Sequence, residues 1–301
     1  MLHNKNGLFN HDSQSGGSMM RAIVLLALFI CTVPLRAETV APAACTRASL
    51  QATVDKYLDA LKKGNPSLMP LTPQAWYMEN RNEVPLGKGI WQAHLAVDFN
   101  RSQLDVETCQ TFTEIIHTSG DRPYVIGTRL KIEDNKIAEI ESLVAGKNDW
   151  LFNASDYLKY SSQENWDILP VEKRSDRQTL LNAANAYFDT FGDYSSLSKV
   201  PWGTPCARIE GGMYTNRNND PNASCTVGMP KDSSVKIINR HFLVDVDMGT
   251  VVGMVDFREE KRNPDVHTFR LENGKLRYVH SIQVCTIQPN CGLPQMKSKP
   301  Q

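Results

Sequence analysis

The chain has 301 residues, with 33 lysines and arginines against 33 aspartates and glutamates, so no net field draws it toward nucleic acid or an acidic membrane surface. It lacks a Gly-x-Ser-x-Gly elbow, a phosphate-binding glycine-rich loop, a His-Glu-x-x-His pair and a basic-aromatic stripe. Nucleophilic hydrolysis, nucleotide chemistry, zinc hydrolysis and nucleic-acid binding are therefore disfavoured.

Residues 1–18 are polar and read as an upstream start or a disordered lead. Met20-Arg21, the apolar run Ala22 to Val33 and the small residue Ala37 then have the order of a signal peptide, with residues 1–37 removed on export. The apolar run is too short for a membrane-spanning helix, which needs roughly 20 residues. Beyond it, Leu50, Val54, Tyr57, Leu58 and Leu61 follow the helical period and form one apolar stripe, stopped at Gly64-Asn65-Pro66. Trp76 to Asn82 and Leu86 to Trp91 follow, with a strand expected over Gln110 to His117 and a hairpin over Gly127 to Val144. The stretch from Asn153 to Arg174 reads as a connection.

A second amphipathic helix carries Leu180, Leu181, Ala184, Tyr187, Phe188 and Phe191, entered through a capping box at Ser175 to Gln178. A loop rich in glycine and asparagine runs from Gly211 to Ser224. Two hairpins complete this half: Ile237 to Asp247 with Thr250 to Phe257, and Val266 to Gln283. Residues 286–301 read as a tail.

The two halves repeat each other. Tyr57-Leu-Asp-Ala-Leu61 matches Tyr187-Phe-Asp-Thr-Phe191, and the final hairpins align with a spacing of 139 positions: Leu130 with Phe269, Ile132 with Leu271, Ile137 with Leu276, Ile140 with Val279. The chain thus divides into a first α+β domain over 38–155 and a second over 156–285. Each is expected to wrap a curved antiparallel sheet around its helix and leave an open-ended cavity. Without Cys31, six cysteines remain, and six allow fifteen pairings. The set Cys45–Cys109, Cys206–Cys225 and Cys285–Cys291 is preferred because every bridge stays within one repeat. No Cys-x-x-Cys occurs, which argues against structural zinc. Asn100, Asn153 and Asn222 open glycosylation sequons, relevant in a eukaryotic host.

Where the repeats differ, chemistry enters. Thr128 is replaced by His267 and Glu141 by His280. Strand alternation puts Asp265, His267, Phe269 and Leu271 on one face, and Tyr278, His280, Ile282 and Val284 on one face of the next strand. Two histidines, Asp265 and Tyr278 are accordingly expected at the mouth of an apolar cavity, with Asp265 orienting a ring or raising its pKa. The plainer alternative is that these are satisfied structural histidines. Ile126 and Thr128 occupy the positions of Asp265 and His267 in the first half, where Tyr124, Trp76 and Trp91 suggest a drier pocket. Arg208 with Glu210 reads as a cross-strand surface pair. Asn239-Arg-His241, Asp245, Asp247 and Asp256 read as solvated charge, and His94 and His117 have no nameable partner.

The helix motif, Glu79-Asn80, Gly89-Ile-Trp91, Arg129-Leu-Lys-Ile132, Asn239-Arg240, Pro264-Asp-x-His-x-Phe-Arg270 and Tyr278-Val-His280 resemble an exported domain family of unknown function, frequent in filamentous fungi. It belongs with the SnoaL-like, nuclear-transport-factor-2-like cone folds, and the resemblance covers about residues 45–285. It implies two tandem cone-shaped α+β barrels. In the wider superfamily, polyketide cyclases, ketosteroid isomerase, scytalone dehydratase and limonene epoxide hydrolase move protons in apolar pockets without a cofactor; other members only bind. No catalytic assignment carries over residue by residue from those enzymes. The expectation is a secreted, cofactor-independent lyase or isomerase. His267 and His280 would be its acid/base pair, Asp265 the orienting group, and Tyr278 or Tyr187 a hydrogen-bond donor. The alternative is a secreted, non-catalytic binder. Either way the expected partner is an apolar small molecule, not nucleic acid and not a membrane once the signal is cleaved, and a homodimer is open.

Overall fold

The computed structural model describes residues 45–231, 234–257 and 263–292. The expected signal peptide and the end of the tail lie outside the described residues.

In the first half, helix α1 (Arg47–Lys62) starts at Thr46, whose side chain accepts from Ser49 N–H while Ser49 reaches back to the Thr46 N–H. That exchange satisfies two of the amide donors a helix start leaves unpaired. Strands β1 (Leu71–Glu79), β2 (Asn82–Glu83), β3 (Phe99–Asp105), β4 (Gln110–His117), β5 (Tyr124–Glu133) and β6 (Lys136–Ala145) form one sheet in the order β2-β1-β6-β5-β4-β3. Helix α2 (Ala154–Ser161) occupies the segment expected to be a plain connection. Its Asn153 side chain accepts from Asp156 N–H.

The second half repeats this plan. Helix α3 (Arg177–Asp189) precedes β7 (Trp202–Glu210), β8 (Met213–Tyr214), β9 (Ile237–Asp245), β10 (Thr250–Phe257), β11 (Asn263–Glu272) and β12 (Lys275–Gln283), ordered β8-β7-β12-β11-β10-β9. The cap of α3 is Asp176, which accepts from Thr179 N–H, rather than the expected box at Ser175. The sheets are mixed, not wholly antiparallel, because β1 runs parallel to β6 and β7 parallel to β12. The fold is α+β, two tandem cone-shaped barrels, each a curved sheet wrapped around a helix.

Each helix buries its apolar stripe in the concavity of its own sheet. Leu50, Val54, Tyr57 and Leu61 pack on Ile126, Leu130 and Ile140; Leu180, Ala184, Tyr187 and Phe188 pack on Val251, Phe269 and Val279. The outer faces of the two sheets then meet, with Phe112, Ile116 and Leu143 against Leu243, Val252, Val266 and Ile282. This is why β4, β5, β10 and β11 are buried on both faces. Every such large side chain removed from water contributes about 1.5–3 kcal/mol.

The halves are also tied by a reciprocal clamp. Arg47, at the start of α1, donates to Asp245 at 2.7 Å, and Leu104 N–H donates to the same carboxylate at 2.9 Å. Arg177, at the start of α3, donates twice to Asp105 at 2.9 and 2.8 Å, and Val244 N–H adds a third bond at 2.9 Å. Burial alone would raise the Asp105 carboxyl, but Arg177 and the amides outweigh it and hold the carboxyl below its ordinary value. Asp245 and Asp256 are therefore buried, not solvated as expected. The desolvation of each is offset by donors from the other half, with Asp256 accepting from Arg81 at 3.0 Å and, within its own half, from Asn239 at 2.7 Å. Three disulfides, Cys45–Cys109, Cys206–Cys225 and Cys285–Cys291, are present in the preferred pairing.

Candidate functional site

The second half holds a cavity of about 340 Å³. One wall is polar and is built by strand register. Glu210 on β7 pairs with Ser281 on β12, and Ser281 pairs with His267 on β11, so the three side chains form a row across the concave face. Asp265 and Gln283 form the next row. Trp150, Phe191, Met229, Pro230 and Phe257 supply an apolar wall.

His267 Nδ1 donates to Asp265 Oδ1 at 2.6 Å, and Ser281 Oγ donates to Asp265 Oδ2 at 3.2 Å. Alternation explains the pair, since residues two apart on a strand share a face. The Nε2 atom has no hydrogen-bond partner among the described residues, so it is the ring nitrogen left for a ligand. Burial raises the Asp265 carboxyl, and the neighbouring imidazole and Ser281 oppose that rise. The ring is held by aromatics: Phe257 and Phe269 stack on it at 5.8 and 5.7 Å, and Phe188 meets it edge-on at 5.3 Å.

Arg208 and Glu210 belong to this cavity and are not a surface pair. Both sit on β7 and point inward, and Arg208 is 2% exposed. Its Nη1 and Nη2 donate to the Cys225 and Val227 carbonyls at 2.8 and 2.7 Å, fixing the disulfide-bounded loop to the sheet. Its Nε lies 3.1 Å from Glu210 Oε1, within ion-pair range though not aligned as a hydrogen bond. A surface groove of about 740 Å³ adjoins the cavity and shares Trp150, Arg208, Glu210 and Gly228 with it. The hydroxyl of Tyr187, on α3, is buried beside the Arg208 guanidinium, and burial pushes this phenol well up, keeping it a protonated donor.

His280 and Tyr278 are not in this cavity, which corrects the expectation that they share its mouth with His267. In the hairpin, Thr268 pairs with His280 and Arg270 with Tyr278, placing both on the outer face between the sheets. The cause is an irregularity beside the turn, between Arg270 and Leu271. Leu276 and Val279 both point inward although they are three residues apart, which needs a bulge between them. That spacing was visible in the sequence.

His280 bridges two carboxylates, with Nδ1 at 2.9 Å from Glu114 and Nε2 at 2.6 Å from Glu164. Tyr157 donates to Glu114 and Trp166 to Glu164, each at 2.9 Å. Burial by itself lowers the imidazole pKa, but Glu114 and Glu164 overcome it and raise it to about 9. His280 is thus an imidazolium locking β4, β12 and the connecting segment together. Tyr278 stacks on Trp166 at 5.7 Å. His241 is exposed, as expected, and partial desolvation of its ring followed by the Arg129 charge lowers its pKa.

In the first half the space beside Tyr57 and Tyr77 is filled by Trp91, while Glu79, Tyr124 and Val144, the counterparts of Glu210, Asn263 and Gln283, line a surface groove of about 550 Å³. Trp91, on a single 3-10 turn (Gly89–Ala93), is 1% exposed and meets Tyr57 and Tyr77 edge-on at 5.9 and 6.3 Å. The row that reads Glu210, Ser281, His267 in the second half reads Glu79, Ser142, Thr128 here. Tyr57 donates to Thr128 at 2.9 Å, and Thr128 and Ser142 are bonded at 2.9 Å, so these hydroxyls satisfy one another. Glu79 accepts from Tyr77 at 2.5 Å and from the Ile90 N–H at 2.8 Å. Gly89, at φ +64, passes so close to the Glu79 carboxylate that a Cβ would collide with it.

Similar solved structures include a protein of unknown function with cystatin-like fold from Methylobium petroleophilum PM1 (17% identity, TM-score 0.28, 35% of this chain and 80% of that one). Another is a putative ketosteroid isomerase from Kribbella flavida DSM 17836 (13% identity, TM-score 0.26, 33% and 78%). A third is an NTF-2 like protein of unknown function from Burkholderia xenovorans LB400 (10% identity, TM-score 0.28, 39% and 96%). No curated protein matches the sequence. The model of the family described as Domain of unknown function (DUF8021) matches twice, over residues 43–144 and 173–283, once in each half. The chain belongs to that family.

Proposed function

We propose that the second-half cavity binds a small, largely apolar organic molecule and that His267, oriented by Asp265, moves a proton on it in a lyase or isomerase reaction. The observation that carries this reading is the 2.6 Å His267–Asp265 contact on the wall of a cavity, at positions where the plugged first half has Thr128 and Ile126. A carboxylate on Nδ1 fixes the tautomer and leaves Nε2 free to act as a base. In this reading Nε2 takes a proton from a carbon beside a carbonyl. It returns that proton to another position of the substrate, or to a departing hydroxyl. Tyr187, whose ring centre lies 5.4 Å from that of His267, is the donor for the developing oxyanion. His280 and Tyr278 take no part, because they face the other side of the sheet. The chemistry needs no cofactor.

The three disulfides fit an oxidising compartment, and none of the described helices is long and apolar enough to cross a membrane. The disulfides support reading the protein as exported. A non-catalytic binder is favoured by one observation only: the imidazole is 3% exposed and clamped between phenyl rings. The test begins with mass spectrometry of molecules that co-purify with the protein, followed by turnover of what the cavity captures. His267→Ala is expected to lower turnover by about 10²–10⁴-fold while affinity changes little. Equal turnover by the variant would sink the role of His267, and absence of turnover by the wild type would leave only the binder.

A further inference from the structure

In the first half Trp91 fills the space beside Tyr77, at the position that Arg208 takes along the second cavity, and that packing indicates what this part of the cavity accepts. The ring of Trp91 lies against Tyr57 and Tyr77, and the adjoining Ile90 N–H donates to Glu79 at 2.8 Å. By register, Glu79 corresponds to Glu210 and Tyr77 to Arg208, because Glu79 pairs with Ser142 as Glu210 does with Ser281, and Tyr77 with Ile140 as Arg208 does with Val279. The carboxylate is thus common to both halves, but its donors are not. Glu79 has a phenol and a backbone amide. Among the described residues, Glu210 has only the misaligned Arg208 Nε at 3.1 Å, and it lines the cavity. A carboxylate facing a largely apolar pocket without a well-aligned donor is costly unless something supplies one.

We infer that Glu210 is the specificity-determining residue of the second cavity, selecting a planar ring molecule that presents an O–H or N–H donor where the first half presents Ile90 N–H. The ring takes the place of the Trp91 indole, with its face toward the Arg208 guanidinium, an arrangement favoured by cation–π attraction. The donor bonds Glu210, and the far end of the ring reaches the row containing Ser281 and His267. A cavity of about 340 Å³ suits a two-ring molecule of this kind. This inference rests on the reading of the cavity as a ligand site and adds the chemistry that the ligand must carry.

The experiment compares binding of 1-naphthol with that of 1-methoxynaphthalene, which has the same rings and no donor, by isothermal titration of the full chain. The wild type is expected to prefer 1-naphthol by about tenfold, the scale of one charge-assisted hydrogen bond. Glu210→Leu should abolish that preference while leaving affinity for 1-methoxynaphthalene within about twofold. Glu210→Gln, which keeps the side-chain shape and a weaker acceptor, should narrow the preference to a few-fold, and it serves if the leucine variant does not fold. Equal binding of the two compounds by the wild type, or a preference that survives both substitutions, overturns the inference alone. Failure of both compounds to bind the wild type overturns the cavity reading and the inference together.

Discussion

The two halves of this chain share one scaffold and differ in what fills it. In the first, Trp91 fills the space beside Tyr57 and Tyr77, and every polar group in the central row is satisfied within the protein: Tyr57 by Thr128, Thr128 by Ser142, Glu79 by Tyr77 and Ile90 N–H. In the second, the same row carries His267 and Glu210, and a cavity of about 340 Å³ is open. A row of neutral hydroxyls can close on itself because each is both donor and acceptor. Replacing one by an imidazole bound to Asp265 breaks the chain of bonds and leaves Glu210 and the imidazole along the cavity. The lesson is that the plugged copy shows what the fold needs, and the departures of the open copy show what a ligand would be asked to supply.

The largest test of that contrast removes the plug. Trp91→Ala should cost about 3–5 kcal/mol in denaturant unfolding, the usual range for deleting a buried large aromatic. It should also create a second binding site for 1-naphthol in the first half, seen as a rise in stoichiometry. A small loss with unchanged stoichiometry would mean that the first half collapses around the deletion.

Next in size is the separation of the two histidines. His280→Ala leaves Glu114 and Glu164 buried without the cation between them, and should cost about 3–5 kcal/mol. Turnover per folded molecule should be unaffected; its loss would sink the assignment of His280 to the outer face. The same cluster sets a pH dependence. His280 is raised in the folded protein to about 9, so its contribution is fully present below the ordinary histidine value of 6.5 and is lost as pH rises through about 9. Urea midpoints should fall across that window in the wild type and less in His280→Ala.

The smallest effect compares the two clamps. Arg177 grips Asp105 with two bonds, whereas Arg47 makes one short bond to Asp245. Charge-assisted bonds contribute about 1.5–3 kcal/mol each when buried and less when half-exposed. Arg177→Ala should therefore lower the unfolding midpoint more than Arg47→Ala. The reverse order would mean that the clamps do not contribute as their geometry suggests.

Much of the fold was legible because its signals are local. The helical stripe through Tyr57 recurs through Tyr187, and the duplicated hairpin fixes the two-fold plan. Confining each bridge to one repeat fixes Cys45–Cys109 and leaves three pairings of the other four cysteines, of which the one joining sequence neighbours is present. What was missed depends on contacts distant in sequence. Asp245 and Asp256 look solvated until Arg47 and Arg81 of the other half are brought to them. Helix α2 is short and polar, and its place is set by packing between the sheets. The site was half legible: Asp265 and His267 lie two apart on one strand and needed only alternation. His280 required knowledge of a bulge whose trace is the three-residue spacing of Leu276 and Val279. Glu210 and Arg208 carry no sequence signal as a pair, and only the parallel register of β7 with β12 brings them beside His267.

The central claim is that chemistry belongs to the second half because of two residues the first half lacks. Its most direct test is turnover, on the captured molecule, by the chain carrying Asp265→Ile and His267→Thr, which restores the first half's residues at both positions. The account predicts a folded protein with a cooperative melt that binds that molecule but releases no product. Product formed at the wild-type rate by that variant would contradict it.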